Sequence, residues 1–372
     1  MKLSHVTVLG AITGLAQATP MAKRAVTNAD ILNYALTLEH LEATFYEQGL
    51  KNYTQEAFMK AGYKDPFYSN LKQVGSDEKM HEEFLTKALK AAGAHPVERC
   101  TYSFPATDPK SFLALASVLE GVGVSAYLGA AGEIMNKTYL TAAGSILTDE
   151  ARHSAYLRAA LKKVPFAQPF DNPLDLNEVY TVASPFIASC PSSNGKLPVK
   201  AFPALTMDSD KSLMTGSMVQ LMADKSFDGS SAKDIHAAFI TVTGPVWAEL
   251  KDNGDNKYSV TIPKGVAGQS YVVLTKDNTK ATDDNIVAGP AIVEIGQEQK
   301  MGGMGEMDGM SSMSMPSTAM STSSMPSGSM TSGSMTSSSM MPSSSFNGAP
   351  GKRSDMMTSV LGGVFMAAAM LV

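Results

Sequence analysis

The chain has 372 residues, 44% of them apolar, and a formal net charge of −5, which suits two or three folded units rather than one small module. The acidic balance excludes a protein that holds nucleic acid mainly through phosphate contacts, and two cysteines exclude a multi-disulfide scaffold. Methionine is in excess at 25 residues, and 12 of these fall between Met301 and Met341.

At the start, Lys2, an apolar run over 6–16 and Ala16-Gln17-Ala18 have the layout of a secretory signal peptide, residues 1–18, cut after Ala18. Lys23-Arg24 is a dibasic pair that would remove a propeptide, 19–24, and start the mature chain at Ala25. From Thr27 to about Val164, Ala, Leu, Glu and Lys recur at helical spacing. Four long helices are predicted at about 28–48, 66–92, 109–135 and 137–163, with a short helical piece at 55–61. Thr27 with Asp30 resembles a capping box, and Asp65-Pro66 and Asp108-Pro109 each place an acceptor before a first-turn proline. The connection 93–108, with Pro96 and Pro105, is long. Extended, it covers about 50 Å, more than the roughly 40 Å height of such helices. The second and third helices can then run parallel, in the one-crossover topology of ferritin-like bundles.

A short helix is predicted at 175–183, and β-branched or aromatic runs at 239–242, 258–262, 271–275 and 291–295 read as strands. The expected order is an all-α ferritin-like four-helix bundle over 25–190 and a small antiparallel, sandwich-like β domain over 191–300. A disordered Ser/Thr/Met-rich stalk follows over 301–346, uncharged from Gly309 to Gly351. Met301, Met304, Met307, Met310 and Met313 recur every three residues. Such thioethers select Cu(I), and the alternative is that they punctuate a stalk. The segment 347–372 has the layout of a glycolipid (GPI) anchor signal: small residues from Asn347, a polar spacer, and an apolar tail over 360–372 too short to span a bilayer. Both ends therefore point to a secreted protein held at the outer face of a plasma membrane or cell wall, with the membrane as a partner through the lipid anchor. In that compartment Cys100 and Cys190 are expected to form a disulfide, and Asn52 and Asn136 head glycosylation triplets.

The chemistry concentrates in the helices. Glu78-Lys79-Met80-His81 and Glu150-Ala151-Arg152-His153 are two Glu-x-x-His pairs on the second and fourth helices, and this spacing puts both side chains on one helical face. Glu39 and Glu120 lie at similar heights on the first and third helices. Glu120 stands in an apolar run, where a lone carboxylate is costly unless paired or metal-bound. One Glu from each of two helices plus Glu-x-x-His from the other two is the ligand pattern of ferritin-like di-metal carboxylate proteins. More closely, the segment from Leu38 to Tyr46 and that from Glu150 to Tyr156 resemble secreted fungal ferritin-like domain proteins, including stress-response proteins of the Rds1 type.

That resemblance implies a metal site made of Glu39, Glu78, His81, Glu120, Glu150 and His153, with Glu42 and Tyr46 beside it. Hard carboxylate and imidazole ligands suit a pair of iron or manganese ions, and the implied chemistry is redox. The alternative for these six residues is a set of salt bridges. For the chain as a whole, it is a non-enzymatic cell-wall or adhesion protein using the bundle as scaffold. Gly121, Gly123, Gly129 and Gly132 are expected to permit close helix packing, and Gly residues beside Glu120 would make room for a ligand. His40, His95 and His236 lack partner spacing, and Glu82 is expected to be a solvated helix residue.

Overall fold

The computed structural model describes residues 26–207, 213–227 and 234–296. The segments expected as signal peptide, propeptide, methionine-rich stalk and anchor signal, with Asn347, lie outside the described residues.

Helix α1 (Asn28–Asn52) starts with the expected capping box: the Thr27 hydroxyl accepts the Asp30 N–H, and the Asp30 carboxylate accepts from Thr27. The short α2 (Gln55–Lys60) is capped by Thr54. Helix α3 (Phe67–Ala91) departs from its expected cap, because the Asp65 carboxylate accepts from the Gln55 side chain and no side chain caps the helix. Helix α4 (Pro109–Ala130) has the Asp108 cap and first-position proline. It ends at Ala130 rather than 135, because a 3-10 turn over Ala131–Glu133 leads into Asn136. The Asn136 side chain accepts from the N–H groups of Thr138 and Tyr139 and so starts α5 (Lys137–Ala160). Asn136 is therefore engaged as a cap, while Asn52 is exposed at the end of α1.

The connection from α3 to α4 is a full crossover. Phe67 at the start of α3 and Phe112 at the start of α4 share one aromatic cluster, so the two helices run parallel. Within the crossover, β1 (Thr101–Tyr102) pairs antiparallel with β2 (Ile187–Ser189), which follows α6 (Leu176–Ala183). Cys100 and Cys190 form a disulfide beside this pair. Glu82 is not solvated as expected. Against the upward push of burial, hydrogen bonds from His40 and Arg99 bring its carboxyl down to about 2. The other His40 ring nitrogen lies 2.9 Å from the Val97 carbonyl. His40 thus fastens the crossover to α1 and α3, a structural role.

The remaining strands are β3 (Leu205–Met207), β4 (Met218–Ala223), β5 (His236–Phe239), β6 (Val246–Ala248), β7 (Leu250–Asp252), β8 (Lys257–Thr261), β9 (Gly268–Thr275) and β10 (Ile286–Ile295). They form two four-stranded antiparallel sheets, β3-β4-β8-β7 and β10-β9-β5-β6. In β4, Val219, Leu221 and Ala223 point inward while Met218, Gln220 and Met222 point out. The inward residues join Val260 from β8 and Phe239, Val272, Leu274 and Val293 from the other sheet in one core, which makes the pair a sandwich. The strand expected at 239–242 ends at Phe239, because Thr241 accepts the Gly244 N–H in a turn.

The second sheet is buried on both faces. Ala238, Tyr271 and Val273 pack against Tyr34 of α1 and Val122 and Ala126 of α4. The Tyr271 hydroxyl donates to the Gly121 carbonyl at 3.0 Å, and Gln269 Nε2 donates to the Val118 carbonyl at 3.0 Å. Helix α4 therefore lies between bundle and sandwich, which explains its apolar run. At Gly129 an added Cβ would lie 1.8 Å from the Leu174 carbonyl oxygen, so close packing demands glycine there. The Arg158 guanidinium completes the junction by donating to both carboxylate oxygens of Glu294 on β10, at 3.0 and 2.8 Å.

Candidate metal centre

The four long helices bring Glu39, Glu78, Glu120 and Glu150 to the middle of the bundle, each wholly buried. His81 and His153 complete the cluster, and the structure brings all six sequence-derived residues together. His81 Nδ1 lies 3.5 Å from Glu39, 3.4 Å from Glu78 and 3.3 Å from Glu150. His153 Nδ1 lies 2.8 Å from Glu78 and 3.3 Å from Glu120. The donor atoms fall into two groups, Glu39, Glu78, His81 and Glu150, and Glu78, Glu120, Glu150 and His153, with all atoms of a group within 4.8 Å of one another. Glu78 and Glu150 belong to both groups. Two ions would therefore share two carboxylates, and each would have one further Glu and one His.

The electrostatics fit cations. Burial, with the charge of Glu120 next, raises the Glu78 carboxyl to about 7. Burial and the charge of Glu78 push Glu150 well above the carboxylate range. Both histidines are raised, His153 to about 11: burial opposes this, but the adjacent Glu120 and Glu78 carboxylates outweigh it. Even so, Glu39 Oε2, Glu78 Oε1, Glu120 Oε2 and both oxygens of Glu150 are buried and, although imidazole nitrogens stand close to them, accept no aligned hydrogen bond. Orphaned buried acceptors cost about 1–3 kcal/mol each, and more when charged. A pair of divalent cations would satisfy them and balance four carboxylates, so the residues fit the group.

Further side chains hold these carboxylates and imidazoles in place. The Tyr46 hydroxyl donates to Glu120 Oε1, and the Tyr127 hydroxyl donates to Glu39 Oε1, both through short contacts between α1 and α4. His81 Nε2 faces Asp149 at 3.4 Å, and His153 Nε2 faces Asp77 at 3.5 Å, so each ring is held from behind by a carboxylate on the opposite helix. Glu42 is also buried, raised by burial and by the charge of Glu150. At Gly123 an added Cβ would come within 2.7 Å of Glu150 Oε2 and 3.1 Å of Glu42 Oε1. Gly123 thus makes room for carboxylates of the centre, while Gly121 faces Gln269 and Gly132 faces open space.

The sequence reading missed Tyr127, Asp77 and Asp149, although each had a signal. Tyr127 follows Glu120 by the same seven positions that separate Tyr46 from Glu39, and an aspartate precedes the glutamate of both Glu-x-x-His pairs.

A one-crossover four-helix bundle with a central carboxylate–histidine cluster defines a ferritin-like protein, and residues 27–163 match the model of the ferritin-like domain family. The helical part of the chain is a ferritin-like domain. Over 324 aligned residues, 71% of this chain and 80% of the relative, the chain is 21% identical to "Protein rds1" of Schizosaccharomyces pombe (strain 972 / ATCC 24843).

Proposed function

We propose that the cluster is a di-iron or di-manganese carboxylate centre, and that the protein is an oxidoreductive or metal-handling protein of the cell surface linked to stress response. The observation that carries this is the set of buried acceptors left without aligned hydrogen bonds at the place where two four-residue donor groups share Glu78 and Glu150. Held by Glu39, Glu78, His81, Glu120, Glu150 and His153, such a metal pair would supply one-electron redox chemistry.

The protein's own contribution is positional. Tyr46 and Tyr127 each fill one oxygen of Glu120 and Glu39, leaving the other oxygen free for a cation. Asp77 and Asp149 fix the two rings so that their Nδ1 atoms face the cluster. The apolar helix α4 and the sandwich behind it keep bulk water from Glu120. Secretion and a lipid anchor belong to the same proposal, supported by the composition of the two chain ends and by the disulfide, a bond suited to an oxidising compartment.

The test is metal analysis of the purified protein after reconstitution with Fe(II) or Mn(II). Two ions per chain, reduced by Glu120→Ala, support the reading. A chain that stays metal-free under those conditions overturns it and leaves the bundle as a scaffold.

A further inference from the structure

Away from the carboxylates, Cys100 and Cys190 share the wall of an open cavity of about 320 Å³. Small-molecule sites begin at about 300 Å³, so this one is large enough for a compact ligand. Thr37 of α1, Val97 of the crossover, Tyr180 of α6 and the segment after β2 complete the wall. Among the described residues, Lys196 is its one charged residue, and no carboxylate lines it. The nearest charges on the crossover are engaged elsewhere: the Glu98 carboxylate accepts from Ser193, and the Arg99 guanidinium donates to Glu82 and Glu47. Such a wall favours an anion.

The two sulfurs of the bond are not equivalent. Cys190 is exposed, whereas Cys100 is half-buried. The Asn194 side-chain amide donates to Cys100 Sγ at 3.9 Å. That amide is held from both ends, because its Oδ1 accepts the Glu98 N–H at 2.7 Å and its Nδ2 donates to the Glu98 carbonyl at 2.8 Å. One Nδ2 proton is thus used by the backbone, and the other is left for the sulfur.

We propose that this cavity is a thiol–disulfide exchange site that takes a small anionic thiol. The thiolate enters beside Lys196 and attacks Cys190 Sγ, the exposed sulfur. A bond forms between the two sulfurs, the Cys100–Cys190 bond breaks, and its electron pair leaves on Cys100 as a thiolate. Asn194 stabilises that leaving group through its N–H, and a more stable leaving thiolate departs faster. A second thiolate then attacks the sulfur bound to Cys190, which releases the small disulfide and leaves Cys190 as a thiolate. Two thiols are oxidised while one protein disulfide is reduced. The crossover loses its covalent tie to the segment after α6 and keeps only the β1–β2 pair and the Glu98–Asn194 bonds. This exchange depends on neither the metal centre nor the anchor.

The test treats the folded full chain with glutathione, quenches it in acid and maps the adducts by mass spectrometry. Expected is one glutathione on Cys190 with Cys100 free. At equal thiolate concentration, anionic 2-mercaptoethanesulfonate should react about fivefold faster than cationic cysteamine, as unit charges a few Å apart in water imply, and Lys196→Glu should reverse that preference. Asn194→Ala should slow formation of the adduct severalfold. Lys196 is exposed, so its variant keeps the test decisive if Asn194→Ala loosens the segment. Reaction only after unfolding in guanidinium, adducts divided evenly between the two cysteines, or rates indifferent to the charge of the thiol and to Lys196→Glu would each overturn the site.

Discussion

The Tyr127 hydroxyl on α4 donates to Glu39 on α1, and the reverse pairing joins Tyr46 on α1 to Glu120 on α4. The centre is thus built from two equivalent half-sets, one on α1 and α3 and one on α4 and α5. Each consists of a glutamate with a tyrosine seven residues on, and an Asp-Glu-x-x-His run. Because tyrosines and aspartates reach across to the other half, neither half-set is complete without its counterpart. Tyr127→Phe removes one crossing bond without changing shape. It should leave two ions per chain but weaken metal affinity about 10-fold or more, the usual cost of losing an outer partner of a ligand. Competition with a chelator measures it, and unchanged affinity would show that the bond to Glu39 does not orient the ligand.

The two-group arrangement predicts an asymmetry among the glutamates. Glu78 and Glu150 belong to both donor groups, whereas Glu39 and Glu120 belong to one each. Glu78→Ala or Glu150→Ala should therefore abolish binding of both ions, and Glu39→Ala or Glu120→Ala should leave about one. Metal content per folded chain, with circular dichroism to confirm folding, distinguishes this from a single-ion site, where all four substitutions would act alike.

Away from the centre, Glu178 at the start of α6 predicts a pH dependence of stability. Burial, with the charge of Asp175 next, raises its carboxyl to about 8. In the unfolded chain it would titrate near 4.3, so between these values the folded state holds a proton that the unfolded state has lost. Stability then falls as pH rises from about 5 to 8. Glu178→Gln keeps an oxygen to accept the Asp175 N–H, the contact made at 2.7 Å, and removes the ionisation. The drop in Tm between pH 5 and pH 8 should be smaller in the variant, and an equal drop would assign the slope to other groups.

The Cys100–Cys190 bond closes a loop with a sequence separation of 90. On the chain-entropy model a loop of that length contributes about 4–5 kcal/mol by restricting the unfolded chain. Reduction, or Cys100→Ser with Cys190→Ser, should lower Tm by many degrees. The crossover and the segment after α6 should lose protection first, which hydrogen exchange at Tyr102 and Ile187 would register. A Tm unchanged in the double variant would mean that the β1–β2 pairing alone holds the crossover.

The bundle and the clustering of its six carboxylate and histidine residues were legible because helical spacing, caps and the two Glu-x-x-His pairs are local patterns, and the crossover followed from the length of 93–108. The sandwich was less so. Strands such as β3 and β7 have three residues each, too few to show an alternation, and they exist because neighbouring strands in the sheet supply their hydrogen bonds. The tertiary role of Glu82 was hidden as well, since its partners His40 and Arg99 lie far off in sequence. The same holds for α4: its apolar run signalled burial, but only β9 reveals that a sheet covers its second face.

Gly123 separates helix stability from the needs of the centre. In a helix interior Gly→Ala gains up to about 1 kcal/mol, so Gly123→Ala judged by propensity alone would be stabilising. Its Cβ, however, would stand 2.7 Å from Glu150 Oε2 and 3.1 Å from Glu42 Oε1, closer than ordinary contact allows. The shared carboxylate of Glu150 must then move. The expected outcome is a metal-free protein with Tm equal to or above that of the metal-free wild type, combined with a loss of metal binding that includes both ions. Calorimetry of the metal-free forms and metal analysis after reconstitution check the two halves, and full metal loading in the variant would show that Glu150 has room to shift and that glycine is not required beside the centre.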